Sequence, residues 1–241
     1  MSVSETSMSG RAAVKITVPG PILLLGAPAV GKGTQAKELA RIWHIPQIST
    51  GDLLRSNVAL GTDLGQMAKD IMDRGELVPD TFVNEMMAVR LRRADTHKGF
   101  ILDGFPRTLP QAEWLDVRLA CPEQNRANCL PVVAVSIQLE YNRLLRRITG
   151  RRNCPVCHKI YNIYGMPPKV QGVCDVEGSP LFQRADDTEM AFEKRMCAYM
   201  GSTEPVIEHY RNQGRFVEVD GGQPREAVTA EIVASVERLR K

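Results

Sequence analysis

Short, continuously apolar runs alternate along the chain with longer stretches whose apolar positions recur at helical spacing. The runs at Ile22–Leu25, Phe100–Leu102, Val132–Ile137 and Phe216–Val219, with a shorter one at Ile45–Ile48, predict buried strands. Helical patterns fall at Thr34–Ile42, Thr81–Arg93 with Asp80 as a candidate cap, Tyr141–Ile148, Met190–Asn212 and Arg225–Leu239. This alternation predicts an α/β fold on a doubly wound parallel sheet. Residues 153–183 break the pattern. Their paired cysteines, Gly165, Pro167-Pro168, Gly172 and Gly178, with little helical periodicity, predict a small inserted module. The first dozen residues are serine-rich and poor in large apolar side chains, so residues 1–20 are expected to form a disordered tail.

Composition narrows the picture only slightly. The chain has 241 residues, enough for one large domain with insertions, and 31 Lys and Arg against 28 Asp and Glu, a formal charge of +3. That balance is too even for a polyanion-binding surface, so no nucleic acid is expected as a partner. No apolar run approaches the roughly 20 residues that span a bilayer, and no membrane partner is expected. Six cysteines without a signal-peptide pattern predict a reducing, cytoplasmic setting.

The candidate chemistry begins at GAPAVGKGTQ, residues 26–35, between the first strand and the first helix. Gly26, Gly31 and Lys32 fit Gly-x-x-x-x-Gly-Lys, with Gly33 where Ser or Thr is usual and Thr34 one place later. Small residues let backbone N–H groups converge on phosphate, and the helix N-terminus and Lys32 add positive charge; a purely structural glycine turn is the alternative. Three further stretches offer a second site: STGDLLR (Ser49–Arg55), GELVPD (Gly75–Asp80) and LDGFPRTLPQA (Leu102–Ala112). Thr50 and Asp52 serve either as ligands or as caps of a helix starting near Leu53. Asp103, ending an apolar strand, is placed to hold magnesium through water or to form a turn before Gly104. The arginines of RRITGRR, with Arg143, and those of the later QRADD and KR suit either a solvated face or a polyanion site.

Cys154-x2-Cys157-x16-Cys174-x2-Glu177 has the paired spacing of a structural zinc site, reduced cysteines packed without metal being the other reading. Glu177 is long for the fourth position, and Asp175 is a poorer substitute beside Cys174. His158 lies inside the Cys157 turn, which argues against it as a ligand. Cys121, Cys129 and Cys197 have no evident chemistry, and His44, His97, His158 and His209 form no catalytic arrangement.

The four motifs in this order resemble the nucleoside monophosphate kinase family, most closely the adenylate kinases of the long-lid type, from about Pro21 to the C-terminus. The resemblance implies a P-loop nucleoside triphosphate hydrolase-like doubly wound sheet over residues 21–241, with an AMP-binding insertion at about 49–80 and a lid at about 150–187. It implies reversible transfer from MgATP to AMP, giving two ADP, by a monomer. Ala29, Val30, Gly31, Lys32, Gly33 and Thr34 would wrap the donor phosphates, with Arg147, Ile160, Tyr161 and Gln223 around the rest of the ATP. Ala29 replaces a glycine, and its methyl is tolerable where the backbone angles are ordinary. Thr50, Arg55, Glu76, Leu77, Val78, Gly104, Phe105, Pro106 and Gln111 would hold AMP, Gln111 reading the adenine. Lys32, Arg107, Arg151, Arg184 and Arg195 would serve catalysis, with Arg107, Arg184 and Arg195 also on the AMP phosphate. The competing readings are a kinase for another monophosphate or with GTP as donor, and a nucleotide-binding switch that performs no transfer.

Overall fold

The computed structural model describes residues 19–120 and 130–240. The expected tail lies outside these residues except for Pro19 and Gly20, as do Cys121 and Cys129. Five strands form a wholly parallel sheet: β1 (Gly20–Leu25), β2 (Gln47–Ser49), β3 (Gly99–Asp103), β4 (Val133–Gln138) and β7 (Phe216–Asp220), in the order β2-β3-β1-β4-β7. Helices cover both faces, which is why the strands read as unbroken apolar runs. In β1, Ile22 and Leu24 enter one core with Leu39, Trp43 and Ile232, while Leu23 and Leu25 enter the other with Leu102, Phe105 and Tyr210.

Helix α1 (Lys32–Trp43) follows β1, and α2 (Thr50–Leu60) and α3 (Asp63–Asp73) follow β2. The cap of α2 is Ser49, whose Oγ accepts from the Asp52 N–H at 3.2 Å; neither Thr50 nor Asp52 is the cap. The pair α2 and α3 cross closely at Gly65, where a Cβ would lie 2.1 Å from the Asn57 carbonyl oxygen. Helix α4 spans Asp80–Leu91, capped by Pro79, so Asp80 stands in its first turn rather than at the cap. Helix α5 (Leu109–Leu119) follows β3 and α6 (Tyr141–Thr149) follows β4.

The hairpin of the inserted segment, β5 (Arg151–Asn153) and β6 (Ile160–Asn162), is a separate antiparallel pair. The helix expected at Met190–Asn212 is in fact α7 (Glu189–Ala198), a π-helical segment (Tyr199–Thr203) and α8 (Glu204–Asn212). Pro205 lacks an N–H for the preceding turn, which explains the break. Helix α9 (Arg225–Leu239) closes the fold. Among the described residues no helix is long and apolar enough to cross a membrane.

Candidate active site

The loops at the carboxyl ends of the parallel strands converge, the place where open α/β sheets bind ligands. The loop after β1 turns through Gly26 (φ 132°) and Gly31 (φ 114°) into α1. A Cβ on Gly26 would stand 2.5 Å from the Ile137 carbonyl oxygen, so only glycine lets this loop lie against β4. A Cβ on Gly33 would stand 3.1 Å from Asp103 Oδ2. That approach sets the Asp103 carboxylate beside the first turn of α1. Ala29 has φ 63°, in the left-handed region, so the condition of ordinary backbone angles is not met and its methyl group strains the loop.

Lys32 Nζ donates to the carbonyls of Gly26 and Ala27 at 2.8 and 2.9 Å. Burial lowers its pKa to about 8; Asp103 opposes the shift, and Arg107, Arg195 and Arg151 deepen it. Burial likewise pulls Arg195 down to about 10, against Asp186 and with Arg107, and Arg184 down to about 10, with Arg55 and Arg151 adding to it. Arg107 is also lowered by burial, and Asp103 is raised by it while Lys32 and Arg107 pull it back. Five cations from four parts of the chain therefore feel one another in one cleft. A cavity of about 60 Å³ lies beside three of them, lined by Lys32, Gly75, Gly104, Arg107, Arg195 and Thr203.

Most of these cations are held in place. Arg151 makes a two-pronged pair with the fully buried Asp187, and Arg195 pairs with Asp186 at 2.7 Å. Arg107 Nε and the Thr50 hydroxyl both donate to the Gly104 carbonyl at 2.8 Å. Arg55 pairs with Asp52 at 2.6 Å. Arg147 donates to the carbonyls of Val30 and Gly221 at 2.8 and 3.2 Å, joining the loop after β1 to the loop after β7.

The other expected residues separate into two groups. Leu77 borders the cavity, and Val78 and Phe105 are buried in the core beneath it, with Pro106 also on the cavity wall. Glu76 instead pairs with Arg74 at 2.9 Å on the surface, and the Gln223 amide donates to Glu231 at 2.9 Å. Gln111 is buried, its amide bonded to the Arg107 N–H and to Asp80. Sequence reasoning missed Asp186, Asp187 and Asp80 as the carboxylates that hold this machinery. The adjacent Asp pair within QRADD, beside an arginine, was the available signal for the first two.

In the inserted module, Cys154, Cys157 and Cys174 bring their sulfurs within 4.8 Å of one another. Cys154 Sγ accepts from the Val156 and Cys157 N–H groups at 3.4 Å, and these bonds with Ser179 draw it down to about 6 against the effect of burial. Glu177, Asp175 and His158 are exposed and outside this cluster, and Asp175 Oδ1 is taken by the Lys169 N–H at 2.8 Å. The Tyr161 side chain is turned into the module. It is 1 % exposed, forms the module's core with Cys154 and Cys174, accepts from the Asp175 N–H at 2.9 Å and reaches Cys174 Sγ at 3.4 Å. Leu181, partly buried, packs against the same cluster. Ile160, half-buried, precedes it on β6.

A family model described as adenylate kinase matches residues 24–215. The chain belongs to the adenylate kinase family. An adenylate kinase of Thermodesulfovibrio yellowstonii is 48% identical over 218 residues, 90% of this chain and 99% of the relative. Those of Methanocella arvoryzae and Archaeoglobus fulgidus are 43% and 44% identical over 217 and 219 residues, 90% and 91% of this chain and 98% and 99% of theirs. As a family member the protein is a phosphotransferase acting between adenine nucleotides, and family members use Mg2+ with ATP.

Proposed function

We propose that the five-cation cleft carries MgATP and AMP phosphate to phosphate, and that the AMP phosphate oxygen attacks the terminal phosphorus of ATP in line. One P–O bond forms to AMP, the bond to the β-phosphate oxygen breaks, and two ADP result. The observation that carries this reading is the lowering of Lys32, Arg107, Arg184 and Arg195, chiefly by burial and further by neighbouring cations, Arg151 among them. Cations crowded without enough carboxylates to match them fit two polyanions better than a folding role. The loop of Ala29 to Thr34 cradles the donor phosphates, Arg147 and the backbone near Ile160 and Gln223 flank the nucleotide, and Asp103 holds magnesium through water. Thr50, Arg55 and Arg107 take the AMP phosphate, Leu77 and Val78 pack on its base, and Gln111 reads it. Catalysis is then alignment and charge stabilisation, with the insertion at 49–80 and the lid at 150–187 closing to exclude water.

The three lid cysteines fit zinc. Two of their sulfurs stand 3.6 Å apart, against about 3.8 Å for the edge of a tetrahedron with 2.3 Å Zn–S arms, and N–H and O–H donors already favour thiolate at Cys154 and Cys174. The metal would supply cohesion to a module without a full core, and a fourth ligand would come from Glu177 by rotation or from water. The reading extends to a cytoplasmic monomer, with ATP, AMP and ADP as partners and neither nucleic acid nor membrane. Cys154, Cys157, Cys174 and Cys197 are free thiols, as a reducing compartment favours.

The test is transfer from MgATP to AMP, CMP, UMP and GMP in parallel, followed by diphosphate formation. ADP from AMP alone is expected. Faster transfer to another monophosphate would overturn the role given to Gln111, and folded protein that transfers to none would overturn the reaction.

A further inference from the structure

Gln111 has a partner at each end of its side-chain amide. Oε1 accepts from the Arg107 N–H at 2.8 Å, and Nε2 donates to Asp80 Oδ1 at 2.6 Å. A backbone N–H only donates and an ionised carboxylate only accepts, so both partners fix the amide the same way round. Asp80 is itself held, because its other oxygen accepts the Thr108 hydroxyl proton at 2.6 Å, and Thr108 caps α5, the helix that carries Gln111. A carboxylate in the first turn of α4 thus locks an amide in the first turn of α5.

The amide retains one N–H and one lone pair. A 6-aminopurine offers an amino donor beside a ring-nitrogen acceptor, whereas a 6-oxopurine offers a carbonyl acceptor beside a ring N–H donor. The two edges are inverses, so an amide free to turn over pairs with either, and a locked one pairs with one. We propose that Asp80 is a specificity-determining positioning residue: by fixing the Gln111 amide it makes the acceptor site choose a 6-aminopurine monophosphate over a 6-oxopurine one. This inference rests on the proposed reading that Gln111 faces the acceptor base.

The experiment compares kcat/KM for AMP and for IMP in the wild type, D80N and Q111A, with the KM for ATP and the thermal midpoint as controls. The asparagine keeps the size of Asp80 but can accept from Nε2 or, turned over, donate to Oε1. The AMP-to-IMP preference of D80N is expected to fall by roughly fivefold, through a higher AMP KM and a lower IMP KM, and by less than in Q111A because the Arg107 N–H still favours the original orientation. The KM for ATP stays unchanged, and D80N adds nothing on a Q111A background. D80S, whose hydroxyl both donates and accepts, serves in its place should D80N not fold, with the same expected loss. A preference that survives D80N or D80S but collapses in Q111A overturns the role of Asp80 alone. A preference that survives Q111A overturns the base-reading role beneath it.

Discussion

Lys32 makes the charge state of the empty cleft measurable. With a pKa of about 8, lowered chiefly by burial, its protonated fraction is about 0.9 at pH 7, about 0.5 at pH 8 and about 0.1 at pH 9. A triphosphate laid against the ammonium favours the charged form and returns the pKa toward its ordinary 10.5. Nucleotide binding then takes up about 0.1 proton at pH 7, about 0.5 at pH 8 and about 0.9 at pH 9. Because the complex binds more protons than the free protein, affinity falls as pH rises through this window, by up to about 1.4 kcal/mol per pH unit. For the ligand-free protein the sign is opposite. The unfolded lysine holds its proton up to 10.5 and the folded one only to about 8, so between these values the unfolded state binds more protons and stability rises with pH. The assay is titration calorimetry with MgATP in buffers of different ionisation enthalpy at each pH, the slope of heat against ionisation enthalpy giving the protons taken up. Uptake that stays at zero from pH 7.5 to 9, or that persists in K32M, would refute the reasoning.

Three further outcomes are expected. Replacing Ala29 by glycine relieves a left-handed methyl at roughly 1–2 kcal/mol and returns about 0.4–1 kcal/mol to the unfolded chain, so the thermal midpoint should rise by about 2 °C; a lower midpoint counts against strain at φ 63°. D187A leaves the Arg151 guanidinium without its buried partner and should lower the urea-derived stability by about 3 kcal/mol, an effect R151A/D187A should partly recover; an unchanged midpoint in D187A would show the pair to be inert. Stripping the lid metal from protein that holds about one zinc by elemental analysis should release amide protection at residues 153–183 and expose three thiols to a thiol reagent. Protection in β1 and β4 should persist, and protein isolated without zinc at full lid protection would remove the metal from the account.

The strands were readable because both faces of the sheet are covered, and a run such as Ile22–Leu25 needs no alternation to be recognised. At β2 the pattern slipped: Ile45 is buried, but Pro46 follows it and pairing starts at Gln47. Helix α3 is absent from the expected elements although Leu64, Met67, Ala68, Ile71 and Met72 recur at helical spacing; Gly61 and Gly65 interrupt the run of good helix formers. Gly65 is there for the crossing with α2, a tertiary demand. Helix α5 was hidden by Pro106 and Pro110, the latter in its first turn, where no N–H is needed. The phosphate loop and the arginine runs were legible because their residues are neighbours in sequence. The Asp80, Thr108 and Gln111 network joins two helices across a long gap in the chain, and no local pattern announces it. Tyr161 likewise has nothing in its local sequence to show that its side chain packs with Cys154 and Cys174 in the core of the module.

The like charges around the cleft also set what the empty protein asks of its solution. Each cation there raises the free energy of the others, and folding must hold them together until an anion arrives. Small multivalent anions should therefore act as general protectants, sulfate or pyrophosphate raising the thermal midpoint more than chloride at equal ionic strength. In a medium crowded with nucleotides the unliganded form is a rare and comparatively fragile species.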